Sequence, residues 1–185
     1  MMYTLPNILT LFRIGLIPVF LLAFYLPLEN SHFWATLVFF IASMTDMLDG
    51  YLARRLEQTS PLGAFLDPVA DKIIVAVALV LVAVDFNEIW ITVPAMIIIS
   101  REIVISALRE WMASIGKSAQ VAVGQIGKIK TTAQMLCLGG LVWQQSEFMI
   151  WLAVALLYVA AALTIWSMVI YLSSAWKYLE QKDIN

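Results

Sequence analysis

Apolar residues gather in six long runs separated by short polar interludes. The runs cover roughly 7–27, 33–54, 61–84, 89–112, 124–144 and 148–173. Each is near the length of about 20 residues that a helix needs to cross a bilayer. The connections are short, so neighbouring helices are expected to run antiparallel. The pattern predicts an all-α integral membrane protein, a six-transmembrane-helix bundle forming one domain over residues 1–185. No internal repeat or low-complexity stretch interrupts it. Ser60-Pro61 reads as an N-cap followed by proline at the first helical position. Pro68 removes a backbone hydrogen bond and is expected to kink its helix beside Asp67, freeing the Ala64 carbonyl toward a polar cavity.

Composition moves the chain further from soluble globular proteins. Apolar residues make up 62% and charged residues 13% of 185. Mean hydropathy is +0.88, well outside the ordinary range. The formal net charge of −2 points to no partner. A single cysteine, Cys137, excludes an internal disulfide and a cysteine-based metal site. The single histidine, His32, is expected in a short loop and structurally incidental. No cleavable signal peptide is expected, because a basic n-region and a small-residue cleavage site are absent.

Lysine and arginine set the orientation. The interludes near 28–32, 85–88 and 144–147 hold only Glu29, Asp85, Glu88 and Glu147 as charges. The opposite side holds Arg54, Arg55, Arg109, Lys117, Lys128, Lys130, Lys177 and Lys182. The positive-inside rule therefore places both termini in the cytoplasm. Trp34, Trp90, Trp143 and Trp151 fall near the outer interface and Trp111 and Trp176 near the inner one, as in an aromatic belt, with Trp166 deeper.

Against this background, Asp46, Asp49, Gly50, Ala53, Arg54, Gly63, Asp67 and Asp71 form one pattern within 26 positions. Asp46, Asp49, Gly50 and Ala53 cover an arc of about 100° on one helix. Gly63, Asp67 and Asp71 share a face of the next, drifting about 80° over two turns. Both sets lie at cytoplasmic helix ends, so the acids meet at or just below that interface. Paired carboxylates presented this way make a cage for hard divalent cations, whose shells a phosphate can complete.

Solvated helix caps would account for Asp67 alone. They do not account for two acids at a helix C-terminus, where the dipole disfavours negative charge. Ion transport is the second reading, since ionisable residues inside membranes often mark pathways. Transporter sites, however, lie near the midplane between paired repeats. Metal-dependent chemistry on a phosphorylated lipid fits best. Glycines allow close approach to the backbone, and Arg54 adds a permanent cation suited to phosphate.

The eight positions resemble the signature of the CDP-alcohol phosphatidyltransferase family, with every signature position filled. Three further stretches resemble the branch that uses glycerol 3-phosphate. They are Pro6 to Arg13, Ser100-Arg101-Glu102-Ile103 through Ala107 to Trp111, and Gly127 to Gln134. The resemblance covers nearly the whole chain. It implies transfer of the phosphatidyl group from CDP-diacylglycerol to glycerol 3-phosphate, with release of CMP, at the cytoplasmic face of a bacterial inner membrane. It also implies six membrane helices, a homodimer, membrane lipids but no nucleic acid as partners, and two Mg²⁺ or Mn²⁺ ions. By that similarity Asp46, Asp49, Asp67 and Asp71 are metal ligands and Asp71 is the general base. Asn7, Thr10, Asp49, Gly50, Ala53, Arg54 and Gly63 form the CDP-diacylglycerol site.

The acceptor carries a phosphate, for which Arg101, Arg109, Lys128 and Lys130 are candidates. Arg101 and Arg109 differ by about 80° around their helix. Arg101 lies about 16 Å from the helix end near Trp111, too deep for a solvated flank. Glu102 is expected to point about 100° away from it, which favours a partner on another helix. Lys128 and Lys130 read equally as topogenic flanking charges. Basic residues argue against serine as acceptor. They leave inositol phosphate and phosphatidylglycerol open as alternatives within the family.

Overall fold

The computed structural model describes residues 5–56, 61–116 and 125–180, with side chains described over 7–45, at Gly63, and over 65–116 and 131–176. The described residues form six helices and no strand: α1 (Leu5–Tyr25), α2 (Ser31–Leu56), α3 (Pro61–Phe86), α4 (Ile89–Ser114), α5 (Gln125–Trp143) and α6 (Glu147–Glu180). Among them α1, α4 and α6 hold apolar stretches long enough to cross a membrane, the longest being Glu147–Trp176. Large apolar side chains cover their outward faces: Ile103 is 65% exposed, Trp166 64% and Phe148 79%. Apolar surface of this extent suits a lipid solvent.

Helix ends follow backbone chemistry. Asn87, Gly116 and Gln144 take the left-handed conformation directly after or near the ends of α3, α4 and α5. Asn87 N–H and Gln144 N–H then donate to the carbonyls of Ala83 and Gly140, satisfying orphan groups of the last turn. α3 continues through Pro68. α6 runs past the expected end near 173 to Glu180, since its backbone ladder needs no apolar side chains to persist beyond Ser173 and Ser174.

The chain divides into two compact units. The first comprises Met1–Val82 and Leu138–Trp151. Here α1 buries Asn7, Thr10, Arg13, Ile17, Phe20 and Phe24, a single face at spacings of three and four. The N-terminal half of that face is polar and the C-terminal half apolar. α2 meets it with Ala35, Phe39 and Ala42, whose small members let the backbones approach. Ring contacts pair Phe20 with Phe39 at 5.8 Å and Phe24 with His32 at 5.1 Å, so α1 and α2 are antiparallel. His32 is not in a loop. It stands in the first turn of α2, with Nδ1 3.1 Å from the Val142 carbonyl. Val142 lies in the last turn of α5, so the imidazole serves a carbonyl that its own helix leaves open.

The second unit comprises Ala83–Cys137 and Leu152–Asn185. α4 buries Ile91, Pro94, Ala95, Ile98, Arg101, Ile105 and Met112. α6 contributes Ala153, Val154, Leu157, Ala160, Ala161, Thr164, Ser167 and Ala175. Tyr158 Oη donates to the Trp90 carbonyl at 2.9 Å, linking the two helices. Cys137 is a buried thiol, not part of a disulfide, whose Sγ–H donates to the Gln134 carbonyl at 3.1 Å.

Candidate active site

In the first unit the polar half of α1 reaches α3 through the contact of Thr10 with Asp67. Asn7, Thr10 and Arg13 recur every third residue and are 1%, 0% and 1% exposed. Burying three such groups costs free energy unless each finds a partner. Thr10 does so through its hydroxyl, which donates to Asp67 Oδ1. Asp67 and Asp71 are half-buried and one turn apart, and Gly63, one turn before Asp67, is buried. A strip of Gly63, Asp67 and Asp71 thus faces the level of α1 that carries Thr10.

Two expected members of the site, Thr10 and Asp67, are in direct contact, and Asn7 lies on the same buried face of α1. Asp46, Asp49, Gly50, Ala53 and Arg54 belong to the helical backbone of α2, but their side chains lie outside the described residues. Among the described residues no group of three potential metal ligands comes together. The donor chemistry of the strip nevertheless fits a hard cation. Asp67 and Asp71 offer carboxylate oxygens from one helix face. The Thr10 hydroxyl fixes the orientation of Asp67, as outer-shell hydrogen bonds do for metal ligands.

Arg13 is a residue that the spacing pattern does not assign to the site. It is among the largest fully buried side chains of the described residues, and a guanidinium at that depth requires polar surroundings. A signal for it exists in the sequence, since it is the only charged residue of the α1 run and follows Asn7 and Thr10 in register.

The second unit holds two of the expected acceptor residues. Arg101 is 8% exposed. Its Nη1 lies 3.1 Å from Glu102 Oε1 and its Nη2 donates to Ser167 Oγ at 3.0 Å. The expectation that Glu102 points away is therefore corrected: side-chain length closes the angle between the two Cβ directions. The expected partner on another helix exists as well, in Ser167 of α6. Arg109 lies with Cζ 5.6 Å from the Tyr171 ring centroid, and Arg101 Cζ is 5.7 Å from the same ring. Lys128 and Lys130 belong to α5, with side chains outside the described residues.

Comparison with known proteins identifies the family. The family model described as CDP-alcohol phosphatidyltransferase matches residues 3–166. A Haemophilus influenzae protein named CDP-diacylglycerol–glycerol-3-phosphate 3-phosphatidyltransferase is 59% identical over 175 residues, covering 95% of each chain. Proteins of that name from Escherichia coli K12 and Shigella flexneri serotype 5b are each 54% identical over 175 residues, covering 95% of this chain and 96% of theirs. With its signature complete and both kinds of match spanning most of its length, the chain belongs to the CDP-alcohol phosphatidyltransferase family.

Proposed function

We propose that this chain transfers the phosphatidyl group from CDP-diacylglycerol to glycerol 3-phosphate, giving phosphatidylglycerol phosphate and CMP. The observation that carries the reading is the hydrogen bond between Thr10 and Asp67, which joins the polar face of α1 to the signature acids of α3. High identity to relatives named for this reaction supports the choice of acceptor.

In this reading Asp46, Asp49, Asp67 and Asp71 hold two Mg²⁺ or Mn²⁺ ions. When bound, such ions offset charge on the diphosphate and on the departing CMP. Thr10 holds Asp67 in one orientation. Asp71 takes the proton of the acceptor hydroxyl as its oxygen attacks the phosphorus joined to diacylglycerol. The bond from that phosphorus to the CMP oxygen breaks, and CMP leaves with the electron pair. Asn7, Gly50, Ala53, Arg54 and Gly63 bind the donor. Arg101, Arg109, Lys128 and Lys130 recognise the phosphate of the acceptor.

The same reading gives six membrane crossings in a bacterial inner membrane, both termini and the catalytic acids on the cytoplasmic side, and a homodimer. An interfacial site lets the acyl chains stay in lipid while the nucleotide meets the cytoplasm. The test is purified protein with labelled CDP-diacylglycerol and a panel of glycerol 3-phosphate, serine, inositol phosphate and phosphatidylglycerol. Glycerol 3-phosphate should give at least about tenfold more lipid product than any other acceptor, the discrimination expected when a site built for a phosphate meets an acceptor that lacks it or misplaces it. Preference for another acceptor would overturn the assignment while leaving the family intact.

A further inference from the structure

The acceptor arginines converge on a residue that the sequence pattern does not single out. Tyr171 of α6 is half-buried. With Leu108, Trp111 and Ile115 it packs against the buried pair Met112 and Ala175. Arg101 and Arg109 then approach the same ring, at 5.7 and 5.6 Å from its centroid. Each guanidinium therefore lies within cation–π range of one and the same ring. On an ideal helix their directions diverge by about 80°, and about 12 Å of axial rise separates them.

Holding two guanidinium groups together needs something to offset their repulsion. Glu102 pairs with Arg101. Among the described residues, Arg109 makes no ion pair, and its contact is the Tyr171 ring. Among the described residues the cluster therefore keeps an excess positive charge. Among the described residues, Arg101 Nε and Arg109 Nε are buried without a hydrogen-bond partner. On the other side of Arg101 the network is closed: Nη2 donates to Ser167 Oγ at 3.0 Å, and Ser167 Oγ donates to the Thr164 carbonyl at 3.0 Å. One arginine is thus anchored to α6 by a hydrogen bond to Ser167, and both contact an α6 ring.

We infer that Tyr171 is a positioning residue for the acceptor phosphate, its ring holding both Arg101 and Arg109 for anion binding. The inference rests on the assignment of those arginines to the acceptor. The negative face of an aromatic ring attracts a guanidinium and lowers the cost of placing a second one beside it. A phosphate then meets two donor groups already gathered, so less ordering is left for binding. The acceptor phosphate is remote from the bond that breaks, so the contribution belongs to KM for the acceptor rather than to kcat.

The experiment grades the ring while keeping its shape. Tyr171→Phe and a series of mono-, di- and trifluorinated phenylalanines at this position weaken the π face stepwise with little change in volume. Phenylalanine should keep the KM for glycerol 3-phosphate within about twofold of wild type. Successive fluorines should raise it, to about tenfold for the trifluoro ring, with kcat and the KM for CDP-diacylglycerol unchanged. Tyr171→Leu should match or exceed the trifluoro ring. Arg109→Ala, measured alongside, tests the underlying assignment. If Arg109→Ala leaves the acceptor KM unchanged, the arginines do not bind the acceptor and the inference falls with that assignment. If Arg109→Ala raises it but the fluorine series is flat, the arginines keep their role and Tyr171 is only packing. If Tyr171→Phe is as impaired as Tyr171→Leu, the hydroxyl rather than the ring matters, and the inference is overturned.

Discussion

Thr10→Val removes one hydroxyl and keeps the side-chain shape. Thr10 is fully buried, so the near-isosteric valine leaves neither a void nor a water-filled gap. What it does leave is Asp67 Oδ1 without the hydrogen bond from Thr10. A hydrogen bond to a charged group contributes about 1.5–3 kcal/mol. Converted at about 1.36 kcal/mol per decade, that is a fall of about one to two orders of magnitude in kcat/KM. Removing an outer-shell hydrogen bond from a metal ligand has a similar cost, about 10- to 100-fold in metal affinity or activity. The effect should therefore appear in two readouts. At saturating Mg²⁺, kcat/KM for phosphatidyl transfer should fall at least about tenfold, and the half-saturating Mg²⁺ concentration should rise. Thr10→Ser restores the hydroxyl and should recover most of both. Steady-state assays of purified protein across a Mg²⁺ titration supply the numbers. Wild-type kcat/KM and an unshifted Mg²⁺ curve for Thr10→Val would refute the claim that this hydroxyl positions a catalytic carboxylate.

Asp46→Asn, Asp67→Asn and Asp71→Asn should each reduce turnover below detection while membrane expression persists, and EDTA should abolish activity that Mg²⁺ or Mn²⁺ restores. Full activity in chelator would exclude the metal-dependent reading. Arg101→Lys should lower kcat/KM for glycerol 3-phosphate by about one to two orders of magnitude, because an ammonium cannot reach Ser167 and Glu102 in a planar fork. A wild-type acceptor dependence would contradict this. In a Cys137→Ala background, cysteines at Glu29, Asp85 and Ser146 should react with an impermeant reagent from outside intact cells, and one at Gln58 should not. The reverse pattern would invert the proposed topology. Gly116→Ala should cost about 1–2 kcal/mol, since φ is +73° and nothing lies within 4 Å to compensate or clash. Thermal unfolding in detergent would register the cost, and an unchanged midpoint would contradict it.

Particular residues show how far the chain can be read before it folds. Asp67 and Thr10 are legible because polar residues in apolar runs have few purposes, and their spacing survives translation into a helix face. They meet 57 positions apart, a pairing that the family resemblance suggests and no local rule contains. Tyr171 is not legible. It is one aromatic in a long apolar run, and its meaning comes from two arginines on α4. Glu102 escapes the helix-angle argument because those angles describe Cβ directions, whereas glutamate and arginine have side chains long enough to turn back toward each other. His32 escapes it for another reason: polar residues after a turn suggest a loop, yet Ser31 opens α2 and the imidazole reaches Val142. Asp46, Asp49, Gly50, Ala53, Arg54, Lys128 and Lys130 keep their assignments from pattern and family alone.

The central claim is that the group transferred is phosphatidyl. CDP-diacylglycerol carrying ³²P in the phosphate next to diacylglycerol, with ³H in its cytidine, tests it directly when supplied with glycerol 3-phosphate. The account predicts ³²P in phosphatidylglycerol phosphate and ³H in CMP in equal amounts, with neither released when the acceptor is omitted. Release of ³²P with the nucleotide as CDP, or CMP formation independent of glycerol 3-phosphate, would contradict it.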